Sequence, residues 1–231
     1  MSKRMWAIIP AAGQSQRFAD VGYSTIKPLL KVQDRNGLTL SMLAHVRGTL
    51  PVEDPYVLTA LPAGVERPED YKGTKTIVIE TIGQADTIRQ AIIGLPANDA
   101  VLIADCDMVL DPIDIFKMIT HSQIAEVVVA VTQTFDPNAS RVDQIPFPTR
   151  FVEKEPISQW GIVGIRIFNS VRKLEIALDI AISRAIRHSQ EPYLSMAMND
   201  YPGPKYAHVI TNFQDWGTPE RLVNSGAKIL D

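Results

Sequence analysis

Cysteine is nearly absent from this chain. Only Cys106 occurs among 231 residues, which excludes an intrachain disulfide and any cysteine-rich metal site. Long apolar runs are missing as well, and none approaches the roughly 20 residues a bilayer span needs. Met1-Ser2-Lys3-Arg4 leads straight into a strand-like run, without the apolar stretch and cleavage site of a signal peptide, so the cytoplasm is the expected compartment and no membrane partner is expected. There is no block of one charge: 23 basic against 26 acidic residues leave a net charge of -3, which argues against a nucleic-acid surface. His45, His121, His188 and His208 are scattered with no i, i+4 pair, so surface or helix-end positions are expected rather than a zinc site.

Two phosphate-binding signatures are lacking too. A dinucleotide fold wants Gly-x-Gly-x-x-Gly after its first strand and an acid ending its second, where this chain has Gly13-Gln14-Ser15 and Ala60-Leu61. The Gly-Lys-Ser/Thr of a P-loop does not occur.

What is present is ordinary for a globular α/β protein. Hydrophobic residues make up 45% and charged residues 21% of the sequence, and the length fits one domain spanning residues 1–231. Residues 6–9 form a short unbroken apolar run, the pattern of a strand buried on both faces of a parallel sheet. Small residues follow: Ala11, Ala12 and Gly13, then Ser15. They let a backbone approach a flat or charged ligand. Arg17 and Lys27 add two cations, so the stretch has the chemistry to hold a triphosphate.

Farther on, strands are expected over residues 56–60, 76–80, 100–104, 127–131, 150–154, 162–168 and 207–211. Helices are expected over 38–46, with Gly48 as a stop, over 84–95, and from Ser170 onward with a core stripe of Val171, Leu174, Leu178, Ile182 and Ile186. Asp111-Pro112 and Thr218-Pro219 read as caps followed by proline at the first helical position. Prolines break the pattern between 132 and 150, where a mobile flap is expected. The alternation of strand and helix predicts an α/β fold.

Asp105 and Asp107 follow the strand at 100–104, where open α/β sheets build ligand sites. Two hard oxygen ligands suit Mg²⁺. The same residues also fit a plain turn acid and a capping acid. Cys106 lies between them, where a thiolate is disfavoured.

The opening stretch, Pro10-Ala11-Ala12-Gly13-x-Ser15-x-Arg17-Phe18 with Lys27-Pro28-Leu29, resembles the nucleotidyltransferases that make nucleotide sugars, the sugar-phosphate pyrophosphorylases. Ser15 stands where that family often has a second Gly, and Gln16 where it has a small residue. Cys106-Asp107-Met108 matches the family's metal-binding segment best, which puts Asp107 ahead of Asp105. Asp215-Trp216-Gly217-Thr218-Pro219-Glu220 looks like its late motif, whose Asp supplies the other metal ligand. Phe151-Val152-Glu153-Lys154-Glu155-Pro156 is similar to its Val-Glu-Lys-Pro segment with Glu155 inserted, and implies Glu153 and Lys154 as acceptor-binding residues. Gly83-Gln84-Ala85 resembles the nucleobase-facing segment, while Val78 lies near the place where some members carry a base-reading Gln.

The resemblance implies a Rossmann-like three-layer α/β/α fold with a mostly parallel mixed sheet, and an enzyme that transfers a nucleoside monophosphate from a nucleoside triphosphate to a sugar 1-phosphate or similar monoester, with Mg²⁺ and release of pyrophosphate. Arg17 and Lys27 would be catalytic; Ala11, Ala12, Gly13, Ser15, Gly83 and Gln84 would bind the nucleotide; Asp107, Asp215 and Asp105 would face the metal. Assembly into a homo-oligomer is compatible with this. Two other functions fit the same residues: a non-catalytic nucleotide-sugar sensor, and a metal-dependent glycosyltransferase using Asp105-x-Asp107.

Overall fold

In a computed structural model, residues 3–78 and 80–230 are described. The expected opening strand is β1 (Met5–Pro10), followed by a single helical turn, α1 (Gln16–Ala19). Next come β2 (Lys31–Gln33), β3 (Thr39–Ser41) and α2 (Met42–Thr49). The helix expected over 38–46 is therefore half strand, because Leu40 pairs with Val32 across an antiparallel ladder. Ser41 caps α2 by accepting from the Ala44 amide at 3.2 Å. Gly48 does not stop that helix; Pro51 does, by holding Leu50 extended at ψ 123°.

β4 (Val57–Pro62), β5 (Thr74–Val78), α3 (Gln84–Ala91) and β6 (Ala100–Ala104) continue the alternation. The strand expected over 76–80 lies two residues earlier, and its Ile79 falls outside the described residues. β7 (Met108–Leu110) leads to α4 (Pro112–His121), capped as expected by Asp111, and to β8 (Val127–Gln133).

The segment 132–150 is tied down. It contains β9 (Arg141–Val142), and the buried Arg141 donates to the carbonyls of Thr134, Asp136 and Ser158 at 3.0, 2.6 and 2.7 Å. β10 (Phe151–Val152) and β11 (Trp160–Phe168) follow.

α5 (Val171–Arg187) begins at the Ser170 cap. Its buried face differs from the expected stripe: Ile186 is exposed, while Ala177, Ala181 and Ala185 are buried. Alanines let the helix approach its neighbours more closely than isoleucines would. α6 (Leu194–Asp200), β12 (Lys205–Val209), β13 (Phe213–Asp215), α7 (Pro219–Asn224) and β14 (Lys228–Ile229) complete the chain.

The main sheet runs β5, β4, β1, β6, β11, β8, β12. β5, β4, β1 and β6 are parallel, and β11 enters antiparallel beside β6. Since β1 is followed by β4 on one side and flanked by β6 on the other, the order reverses at β1/β6, the place where such sheets open a ligand crevice.

One apolar cluster joins the sheet to α3, α5 and α6; another joins its opposite face to α2 and α4. A third lies outside both and explains the geometry below: Phe18, Leu30, Val32, Met42, Trp216, Leu222 and Ala227. It packs the neighbours of Arg17, Asp215 and Arg221 into one core, so those polar side chains are directed by the burial of the residues beside them. Among the described residues, no helix is long and apolar enough to cross a membrane.

Candidate functional site

A cleft of about 960 Å³ opens at the β1/β6 switch point. The loop after β1 supplies Pro10, Ala11, Ala12, Gly13, Ser15 and Arg17 to its wall, and Lys27 joins them from the following turn. The loop after β6 supplies Asp105 and Cys106, and the far end of the chain supplies Asp215 and Arg221. Asp215 arrives through an antiparallel ladder in which it faces Met108, and the Trp216 amide donates to the Asp107 carbonyl at 2.8 Å. Thus the cations of the opening loop and the acids of two distant segments meet on one side of the sheet.

Lys27 Nζ is 2.6 Å from Asp107 Oδ2. Burial pulls the ammonium down, but Asp107 outweighs it, with Cys106 and Asp105 adding to the effect, so the Lys27 pKa ends above the ordinary lysine value. Burial likewise opposes ionisation of Asp107, and Lys27 prevails there too, leaving its pKa below the usual carboxylate value. The pair is ionised. Cys106 beside it has its thiol pushed up to about 12 by burial. It stays protonated and is no nucleophile.

Asp105 has different partners. Arg166 donates to its Oδ2, and Gln84 Nε2 donates to its Oδ1 at 2.9 Å. Burial holds its pKa above the usual carboxylate value even with Arg166 against it. Both oxygens are therefore occupied by protein donors. Gly83, just before α3, owes its identity to the chain packed on it: a methyl group there would lie 2.8 Å from Glu191 Cγ and 2.9 Å from Pro192 Cδ.

Asp107 and Asp215 suit a hard divalent ion. A methyl group on the Gly217 α-carbon would sit 3.1 Å from Asp215 Oδ1, 3.5 Å from Asp107 Oδ2 and 4.0 Å from Arg221 Nη1. The two carboxylates converge where glycine leaves room, and oxygen donors without a thiolate match Mg²⁺, which keeps several waters. No cluster of three or more His, Cys, Asp or Glu able to hold a metal occurs among the described residues.

Ser15 and Lys154 adopt left-handed backbone at φ 56° and 55°, a conformation that costs a non-glycine residue about 1–3 kcal/mol. Ser15 Oγ accepts from the Lys27 amide at 2.8 Å, fastening the loop to the turn that carries Lys27. Arg17 is exposed, and among the described residues its guanidinium has no hydrogen-bond or ion-pair partner.

At the opposite end of the cleft, Glu153 Oε2 accepts from Ser140 Oγ at 2.5 Å and Ser195 Oγ at 2.9 Å. Lys154 Nζ donates to the Tyr193 hydroxyl at 2.8 Å, and that hydroxyl donates to Glu191 at 2.6 Å. The Tyr193 contact raises the Lys154 pKa. Glu153 and Tyr193 line the cleft.

Sequence reasoning missed Arg166, Arg221 and Tyr193. Arg166 left a signal, a lone charge inside an otherwise apolar strand, whereas Arg221 looked like any polar residue of a terminal helix. The histidine expectation holds for His121, which ends α4, and for the exposed His188, which caps α5, and needs correction at His45 and at His208, which lies in β12. His45 is buried, its Nε2 lies 2.9 Å from the Val32 carbonyl, and its ring stands edge-on to Trp216; His121 and His208 are neighbours with ring centroids 5.3 Å apart.

No family model matches the chain, and no curated protein matches it in sequence. Solved structures do match. A nucleoside-diphosphate-sugar pyrophosphorylase from Vibrio cholerae superposes with a TM-score of 0.77 at 18% identity, covering 95% of this chain and 99% of that one. The chain has the fold of the sugar-phosphate nucleotidyltransferases. A UDP-glucose pyrophosphorylase from Acinetobacter baumanii gives a TM-score of 0.74 at 15% identity, covering 98% of this chain and 92% of that one. The inositol-1-phosphate CTP transferase from T. maritima gives 0.72 at 13% identity, covering 96% and 92%. The nucleotidyltransferase fold thus accounts for nearly the whole chain, as its opening motif implied.

Proposed function

We propose that residues 1–231 form one nucleotidyltransferase domain that transfers a nucleoside monophosphate from a nucleoside triphosphate to a sugar 1-phosphate or a similar phosphate monoester. The observation that carries this is that Arg17, Lys27 and Asp215 line one cleft, with Asp107 ion-paired to Lys27 and bonded through its carbonyl to the Trp216 amide beside Asp215. A phosphate monoester has lost most of its second proton at neutral pH, since that pKa is about 6. Its oxygen is already a nucleophile, and no general base is required. The new bond joins this oxygen to the α-phosphorus, and the bond from the α-phosphorus to the bridging oxygen breaks, so that both electrons leave with pyrophosphate.

What the protein must supply is alignment and charge. In this reading the Ala11, Ala12, Gly13 and Ser15 backbone lies against the triphosphate. Arg17, which has no partner to give up among the described residues, takes the leaving pyrophosphate. Lys27 releases Asp107 and turns to the α-phosphate. Glu153 and Lys154 hold the acceptor, while Gly83 and Gln84 border the nucleotide. Asp107 and Asp215 would hold Mg²⁺, which when bound adds positive charge and orients the phosphates. The bonds from the buried Arg166 and from Gln84 leave Asp105 a positioning role, and they count against a glycosyltransferase built on Asp105-x-Asp107.

The test is a panel of nucleoside triphosphates crossed with phosphate monoesters, with Mg²⁺, read by pyrophosphate release. At least one pair is expected to turn over, and Arg17→Ala should abolish most of that turnover in a folded protein. Tight nucleotide-sugar binding with no release from any pair would instead make the chain a sensor.

A further inference from the structure

The acids at the centre of the cleft are not bare. Lys27 occupies Asp107 Oδ2, and Arg221 Nη1 donates to Asp215 Oδ2 at 3.1 Å. Arg221 Nη2 reaches Asp136 on the loop after β8. The Arg221 guanidinium, always a cation, is thus shared between Asp215 and Asp136. Its Nη1 stands 4.0 Å from the same point beside Gly217 that Asp215 Oδ1 and Asp107 Oδ2 flank. Each acid expected to face a divalent ion therefore already carries one cation of the protein.

Ion pairs of this kind are exchangeable. Asp215 keeps about a quarter of its side-chain exposure and Arg221 40%, so neither is locked in the core. Arg221 also lines the cleft, on the wall that continues through Asp136, Asn138 and Ser140 toward Glu153.

We propose that Arg221 is a resident counter-ion of Asp215 that exchanges: when Asp215 turns to a divalent ion, the guanidinium is released into the cleft and takes a phosphate oxygen of the acceptor. The exchange keeps charge balanced in a site that must be neutral enough to fold and cationic enough to bind two polyanions. Nη1, once freed from Asp215, is the donor for that oxygen, while Nη2 stays with Asp136 and keeps the guanidinium at the cleft wall. The acceptor assignment rests on the transferase reaction proposed above; the counter-ion exchange does not.

The test uses the intact chain, with Mn²⁺ alone and inorganic phosphate as probes. Mn²⁺ binding is followed by electron paramagnetic resonance. Removing a competing cation should tighten Mn²⁺ binding in Arg221→Ala by about fivefold, the scale of a partly exposed ion pair. In the wild-type protein, saturating Mn²⁺ should strengthen phosphate binding measured by calorimetry by about fivefold or more, because it frees Arg221. That enhancement should shrink in Arg221→Ala. Unchanged or weaker Mn²⁺ binding in Arg221→Ala, or an undiminished enhancement, overturns the proposal.

Asp136→Asn separates exchange from simple bracing, since it cuts the tie to the loop and leaves the Asp215 pair. If it reproduces both changes, Arg221 acts only by holding that loop and the proposal falls. If it leaves Mn²⁺ affinity unchanged, the exchange stands. A wild-type protein that releases no pyrophosphate with any substrate pair would defeat the proposed reaction, while the Mn²⁺ titration would still decide the exchange.

Discussion

Arg17 and Lys27 belong to the same opening motif, yet the structure treats them oppositely. Arg17 is exposed and without a protein partner among the described residues, while Lys27 is mostly buried against Asp107. A side chain held in reserve for a ligand adds little to folding; one that neutralises a buried carboxylate contributes to both folding and chemistry. The difference shows that a cation's role is set by its burial, and the two should be separable by measuring stability and turnover together.

The largest change is expected for Lys27→Met. It leaves Asp107 buried and unpaired, which should cost about 3–5 kcal/mol in denaturant unfolding. It should also reduce pyrophosphate release by at least about 100-fold. Trp216→Ala comes next. It removes the largest side chain of the cluster that aims Asp215, and is expected to destabilise by about 3–5 kcal/mol. Weaker Mn²⁺ binding in the fraction that remains folded would show that this core directs the acid.

Arg17→Ala sharpens the contrast. Turnover should fall about 100-fold or more while the unfolding free energy stays within about 0.5 kcal/mol, as for other surface changes. A large loss of stability there would erase the distinction between the two cations. Lys154→Ala is expected to do less, raising the acceptor KM about tenfold, the worth of one charged hydrogen bond, with little change in kcat.

The smallest effect is on the acid side of the stability profile. Asp107, Asp136 and Asp143 all have pKa values below the usual 3.8, with Lys27 outweighing burial at Asp107, the Asn138 amide leading at Asp136, and hydrogen bonds from Thr149 and Arg150 outweighing burial at Asp143. A depressed folded-state pKa gives stability that is present above 3.8 and lost as pH falls through the lower folded value. Denaturant midpoints should therefore be flat from neutral pH down to about 5 as far as these groups are concerned, and drop below 4. Lys27→Met should remove the Asp107 share of that drop.

Much of the fold was legible because it is written in local periodicity. The apolar runs at 6–9 and 100–104 could hardly be anything but central strands, and Ser170, Asp111 and Thr218 cap the helices they precede. Legibility failed where strand pairing decides, with a partner nearby or far along the chain. Residues 39–41 became a strand because β2 was there to pair with, and β13 has only three residues, defined by its ladder with β7. In the site, Asp107 and Asp215 could be singled out by resemblance, but nothing near Arg221 in sequence marked it. Asp105 shows the reverse: two acids two residues apart looked equivalent, and Arg166 and Gln84 distinguish them.

The sequence alone determined the long buried strands and the capped helices, the small-residue loop after the first strand and the supply of cations and hard oxygen ligands, because backbone preference and side-chain chemistry are local properties. Only the tertiary structure decided which charge meets which. Lys27 and Asp107 are 80 positions apart, and their contact depends on sheet order and on a core beneath them that packs the neighbours of the polar residues. Electrostatic interaction falls off within ångströms, so its outcome is set by that packing and not by order along the chain.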